Sequence, residues 1–128
     1  MVIDSSVIIA ILNNEPEASY FAEAIAQATT RLMSTASFLE CTIVIESRYG
    51  ELGGQKLDQL LAKAELKLEP VTVEQAQLAR QAFRAYGKGR HPAGLNFGDC
   101  FSYALAKDMG EKLLFKGNDF SKTDIEIA

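Results

Sequence analysis

Two cysteines and a single histidine are all that this 128-residue chain offers to a disulfide framework or a zinc site. Cys41 and Cys100 lie far apart with no CxxC pairing, a usage that fits a reducing interior better than a secreted scaffold. His91 stands in a Gly-rich loop before Pro92 with no Cys or His nearby, which makes it a poor zinc ligand. No apolar run approaches the roughly 18–20 residues of a membrane span. No signal peptide is expected either, since Asp4 interrupts the first apolar stretch and no basic residue precedes it. The expectation is a cytoplasmic protein with no membrane partner. A basic excess is missing too: 13 Lys and Arg face 17 Asp and Glu, a net charge of −4. That argues against holding nucleic acid by a broad basic surface but leaves room for a small basic stripe beside an acidic pocket. The chain has no GxSxG elbow, Cys–His pair or GxxxxGK[ST] loop, which removes the usual nucleophile and nucleotide-loop chemistries.

What is present is an ordinary globular mixture, 48% apolar and 23% charged. A chain of this length buries roughly two-thirds of its unfolded surface, so it needs no staple. With no linker, repeat or low-complexity tract, residues 1–128 read as one domain. Residues 1–4 form a short apolar strand that ends in a carboxylate, and serines 5 and 6 suit the start of a helix over 5–12. Helices are predicted over about 15–29, with Pro16 in the first turn, over 35–49, stopped by Gly50, and over 55–64. Two more are predicted over 74–86, with Ala79, Ala82 and Phe83 inward, and over 96–109, with Asn96 as cap and Gly110 as stop. Strands are predicted at 31–34, at 66–73 despite Pro70, at 112–116 and, as a last short one, at 123–127. Short strands alternating with helices predict an α/β fold, a central parallel sheet of about five strands with helices on both faces. Ligand sites in such sheets gather beyond the carboxyl ends of the strands.

That rule singles out four acids. Asp4 follows the first strand, and the bland alternative is a helix N-cap. Asp99 lies three residues after Asn96, where a capping-box acid would stand. Glu40 shares a helical face with Ala36, Ile43, Val44 and Ser47, a face expected to pack inward, and a buried glutamate needs a partner. Asp119 follows the strand at 112–116 through a Gly-Asn turn, where aspartate is common. Four carboxylates in one pocket repel unless a cation is present, and oxygen-rich sites suit Mg²⁺ or Mn²⁺. Ser6 either caps a helix or orients a water beside Asp4. Arg80, Arg84 and Lys88 recur at intervals of four, Arg90 extends the run and Lys116 flanks Asp119. Each is an ordinary solvated cation unless the run guides a phosphate backbone toward the acids.

The segments MVIDSSVIIAIL, STASFLE, LNFGDCFSYALAKDMG and LLFKGNDFSKTDI, in that order across the whole chain, resemble the PIN-domain toxins of the VapC type. The resemblance implies a PIN-like fold and a Mg²⁺- or Mn²⁺-dependent endoribonuclease, homodimeric and inhibited by a cognate antitoxin. By position it implies that Asp4, Glu40, Asp99 and Asp119 form the catalytic cluster, with Asp124 close by as an alternative last acid. It implies a metal held by Asp4, Asp99 and Asp119, a hydroxyl at Ser6 near the first acid, and a polar position at Asn96. Hydrolysis by metal-activated water would leave 5′-phosphate and 3′-hydroxyl ends. Two rivals remain: a catalytically weak PIN-fold RNA-binding module, and a haloacid-dehalogenase-like phosphotransfer enzyme. The second would want an acid two residues after Asp4, where the chain has Ser6.

Overall fold

The computed structural model describes residues 1–128. The elements follow in the order β1 (Val2–Ile3), α1 (Ser5–Leu12), α2 (Ala18–Gln27), β2 (Leu32–Ser34), α3 (Thr35–Tyr49) and α4 (Glu51–Lys63). The second half contains β3 (Lys67–Glu69), α5 (Val73–Tyr86), α6 (Phe97–Met109), β4 (Leu113–Leu114) and a single 3₁₀ turn over Phe120–Lys122. The strands form one sheet in the order β3-β2-β1-β4, and every pairing is parallel. Val2 pairs with both Leu32 and Leu113, so β1 is an inner strand.

Period-two alternation then divides the core. Val2, Leu32 and Leu113 face a cluster built with Ala79, Ala82, Tyr103 and Leu105 of α5 and α6. Ile3, Met33 and Leu114 face the other way, toward Val7, Ile8, Phe21, Cys41, Leu57 and Leu61 of α1–α4. Strands β1, β2 and β4 therefore bury apolar side chains on both faces, which is why they read as short continuous apolar runs, whereas β3, at the edge of the sheet, is Lys-Leu-Glu and largely exposed. No helix is long and apolar enough to cross a membrane.

Several boundaries differ from the sequence reading. The sheet has four strands, and in place of the expected last strand over 123–127 there is one isolated bridge from Ile127 to Leu113, after the 3₁₀ turn. Strand β3 stops at Glu69, because Pro70 offers no N–H to extend the ladder. Pro16 stands in a turn ahead of α2 and not inside its first turn. Helix α4 starts at Glu51 and runs through Gly53 and Gly54. Gly53 is a packing residue: a methyl group there would meet Ile45 Cγ2 at 2.7 Å, so its absence lets α4 lie against α3. The inward face of α3 also differs from the one helical spacing suggests. Ser37, Cys41 and Ile45 are buried, whereas Ile43 is 58% exposed and Val44 and Ser47 face solvent. Phe83 on α5 is likewise partly exposed, leaving Ala79 and Ala82 to fill that contact.

Two isoleucines of α3 test this correction. Ile45→Ala should lower unfolding free energy by about 2–5 kcal/mol through loss of apolar burial and a residual cavity. Ile43→Ala should stay within about 0.5 kcal/mol of the parent. Urea unfolding of both variants measures the difference, and equal losses would contradict the assigned face.

Candidate active site

The order β3-β2-β1-β4 makes the chain step one way from β1 through β2 to β3 and then return to the other side of β1. The loops leaving β1 and β4 diverge at that point, which opens a crevice at their carboxyl ends. Asp4 stands at the end of β1, and the turn Gly117–Asp119 follows β4, with Gly117 at φ 103° in the left-handed region that favours glycine.

Asp4 is only 3% exposed. It is the N-cap of α1, accepting the Ser6 backbone N–H at 3.1 Å on Oδ2, while Oδ1 accepts the Ser102 hydroxyl at 2.6 Å. The N-cap expected as the bland alternative is present, and it orients the carboxylate. The same is true of Asp99. Its Oδ2 accepts the Asn96 N–H at 3.0 Å, and the Asn96 side chain accepts the Asp99 N–H at 2.8 Å, a complete capping box at the start of α6. Asp4 and Asp99 each lie at a helix N-terminus, where the partial positive charge favours carboxylates.

Glu40 is half-buried and accepts the Ser5 hydroxyl at 2.5 Å. It reaches the cluster because Gly98 has no side chain. A methyl group at that position would sit 2.0 Å from Glu40 Oε2, so glycine lets the carboxylate of α3 approach α6. Asp119 is exposed at the start of the 3₁₀ turn. Its charge, with those of Asp4 and Glu40, bears on Asp99. Burial pushes the Asp99 carboxyl up to about 7, the three neighbouring acids push the same way, and the bond from Asn96 opposes them. Asp124 belongs elsewhere: it accepts the Tyr103 hydroxyl at 2.5 Å and Lys107 Nζ at 2.9 Å, contacts that hold it below the usual carboxylate range. Asp119 is the acid that shares the cluster.

None of the four acids forms a salt bridge. As the side chains stand, no three Asp, Glu, His or Cys groups are close enough to enclose one ion. Ser6 is bound differently from expectation, its hydroxyl accepting the Lys116 N–H at 3.0 Å and so tying α1 to the end of β4. Lys116 turns its ammonium to Glu15 and to Glu17, the latter at 2.8 Å, and away from the acids. Arg80, Arg84, Lys88 and Arg90 are exposed, with the Arg90 guanidinium 5.5 Å from the Phe83 ring centre. His91 accepts the Ala93 N–H at 3.0 Å within its own loop. Ser5 and Ser102, which reach Glu40 and Asp4, were not singled out from sequence. The available signal for Ser102 is a single serine in the buried run Ser102–Ala106.

The Asp99 carboxyl generates a pH prediction. An unfolded aspartate ionises near 3.8, whereas folded Asp99 stays protonated up to about 7. Between these values the folded state binds more protons, so Asp99 makes stability fall as pH rises through that window. Asp99→Asn keeps an oxygen to accept the Asn96 N–H and removes the charge. In EDTA it should leave the melting temperature nearly unchanged at pH 4 and raise it at pH 8. A scan showing no such divergence would contradict the charged cluster.

Comparison with known proteins identifies the family. Residues 1–126 match the PIN domain family. Ribonuclease VapC30 of Mycobacterium tuberculosis is 57% identical over 125 residues, 98% of this chain and 95% of that protein. Ribonuclease VapC of Mycolicibacterium smegmatis is 58% identical over 125 residues, covering 98% and 97%. The crystal structure of Mycobacterium tuberculosis VapC20, a sarcin-ricin loop cleaving toxin, superposes with a TM-score of 0.79 at 17% identity, covering 99% and 97% of the two chains. A VapBC-1 structure from nontypeable Haemophilus influenzae gives a TM-score of 0.77 at 16% identity, covering 99% and 95%; both structural likenesses concern the fold. Over residues 1–126, nearly its whole length, the chain belongs to the PIN domain family, in the branch of the VapC ribonucleases.

Proposed function

We propose that this protein is the toxin of a toxin–antitoxin pair, an endoribonuclease that hydrolyses RNA phosphodiester bonds with Mg²⁺ or Mn²⁺. The observation that carries the reading is the cluster itself: Asp4, Glu40 and Asp119 all press on Asp99, and no basic side chain neutralises any of them. Such a set of hard oxygen donors fits a divalent cation. Mg²⁺ in particular often takes one or two carboxylates and keeps its waters, which accords with a cluster where no three acids enclose one point. Asp4 and Asp99 would hold the ion, with Asp119 completing the shell directly or through water. When bound, the ion supplies Lewis acidity to a phosphoryl oxygen and makes water a better nucleophile at neutral pH.

The chain's own side chains do the rest. Glu40, held by Ser5, positions the attacking water, and the capping box keeps Asp99 in one orientation. Arg80, Arg84, Lys88 and Arg90 would draw the RNA backbone toward the crevice. RNA as the substrate is supported by the two mycobacterial relatives, both named ribonucleases. A cytoplasmic homodimer completes the reading, with the exposed faces of Phe97 and Phe83 offered to a second copy.

The antitoxin has a fitting groove between α3 and α4. Leu12, Ile45, Tyr49, Leu52 and Lys56 line a cavity of about 300 Å³, and Leu52 is 69% exposed. An apolar segment of the antitoxin would fill it and carry an arginine to Asp4, Asp99 and Asp119, whose guanidinium can pair with carboxylates and exclude the metal.

Purified protein incubated with mixed RNAs should cut them with Mg²⁺ or Mn²⁺ and not in EDTA, leaving 5′-phosphate and 3′-hydroxyl ends. Mapped 2′,3′-cyclic phosphate ends, or equal cleavage in EDTA, would refute the mechanism. Leu52→Glu should weaken capture of the co-expressed antitoxin at least tenfold while leaving cleavage by the free toxin unchanged, about 1.4 kcal/mol of binding. Undiminished capture would move the antitoxin off this groove.

A further inference from the structure

Two buried hydroxyls stand behind Asp4 and belong to no part of the mechanism above. Ser102 is 0% exposed and Ser37 is 1% exposed, and their oxygens are 3.2 Å apart. A buried hydroxyl costs stability unless it is satisfied, and alanine would serve equally well as filler in the run Ser102–Ala106. A serine in a helix often returns its hydroxyl to the carbonyl one turn back. Ser102 instead reaches Asp4 Oδ1, at the end of β1, at 2.6 Å.

The direction of this chain of bonds follows from proton counting. Each hydroxyl has one hydrogen, and an ionised carboxylate only accepts. Ser102 therefore spends its hydrogen on Asp4 and can only accept from Ser37. The order Ser37 → Ser102 → Asp4 polarises both hydroxyls toward the carboxylate. Asp4 Oδ2 is meanwhile held by the Ser6 N–H at 3.1 Å. With one donor on each oxygen, the plane of the carboxylate is set, and the remaining lone pairs are left for the crevice.

We infer that Ser102, backed by Ser37, is a positioning residue for Asp4, fixing the carboxylate in the orientation that receives the divalent cation. The inference rests on the metal-dependent reading of the cluster. Partners that orient a metal-binding side chain commonly contribute about 10–100-fold to metal affinity or activity. Ser102→Ala removes one oxygen, leaves the helix former in place and opens almost no space. Asp4 Oδ1 then loses its donor, and the carboxylate is free to rotate about the Ser6 bond.

The experiment is a Mn²⁺ titration of the purified toxin followed by electron paramagnetic resonance, run beside steady-state cleavage. Ser102→Ala should bind Mn²⁺ about tenfold more weakly and lose kcat at least as much. KM for RNA should stay within twofold of the parent, since the hydroxyl is remote from the backbone-binding cations. Ser37→Ala should show a smaller loss in the same direction, and it decides the matter if the first variant does not fold. A parent protein that binds no Mn²⁺ overturns the metal-dependent reading, and the inference with it. A parent that binds Mn²⁺, with folded variants matching it in affinity and kcat, overturns the positioning role alone.

Discussion

An aspartate buried at the end of an inner strand is the constraint around which the molecule is arranged. A carboxylate taken out of water costs several kcal/mol unless donors meet it. Here one donor comes from the chain two residues later, because α1 begins at Ser5 and presents the Ser6 N–H. The other comes from Ser102, 98 positions away in α6. Satisfying Asp4 therefore requires α6 to pass close beside β1. Gly98 permits that helix to approach Glu40 of α3 as well. The packing that shelters one acid brings the others into range.

The same arrangement sets stability against chemistry. Burial and three neighbouring negative charges raise the Asp99 carboxyl to about 7, so its ionised form is disfavoured without a cation. Titratable groups perturbed by both burial and specific neighbours mark sites of chemistry more often than sites of support. Local devices offset part of the repulsion: the helix N-termini at Asp4 and Asp99, the capping box of Asn96 and the Ser5 hydroxyl on Glu40. Lys116, three residues before Asp119, is withheld from the cluster by Glu15 and Glu17. The acids are thus left uncompensated within the chain.

Away from the site, apolar side chains are left in solvent on helix faces that the core does not consume. Helix α3 packs through Ser37, Cys41 and Ile45, and the stripe with Leu39, Ile43 and Val44 is left in solvent. On the other side of the molecule, Phe97 and Phe101 stand edge to face beside Phe83, with Phe97 80% exposed. Exposed apolar area of this kind on a small domain marks surfaces that meet partners.

The sequence by itself determined the succession of elements and the chemical class of the site. Short apolar runs ending in Asp4 and near Asp119, Asn96 with Asp99, and the stops at Gly50 and Gly110 are local signals, decided within a few residues by capping, turn geometry and side-chain period. What depends on distant residues was not readable. The face of α3 carrying Ile43 looked buried because helical period reveals a stripe and not which neighbour covers it. The packing roles of Gly53 and Gly98 depend on Ile45 and on Glu40, which no local signal beside either glycine announces. The choice of Asp119 over Asp124 was open in sequence, five positions apart, and was made by Tyr103 and Lys107, which hold Asp124 further along α6, away from Asp99 at that helix's N-terminus. Ser102 gained its meaning only when the fold carried it across 98 residues to Asp4. A hydrogen bond of 2.6 Å depends on where two backbones meet, and that meeting is set by the packing of the whole chain.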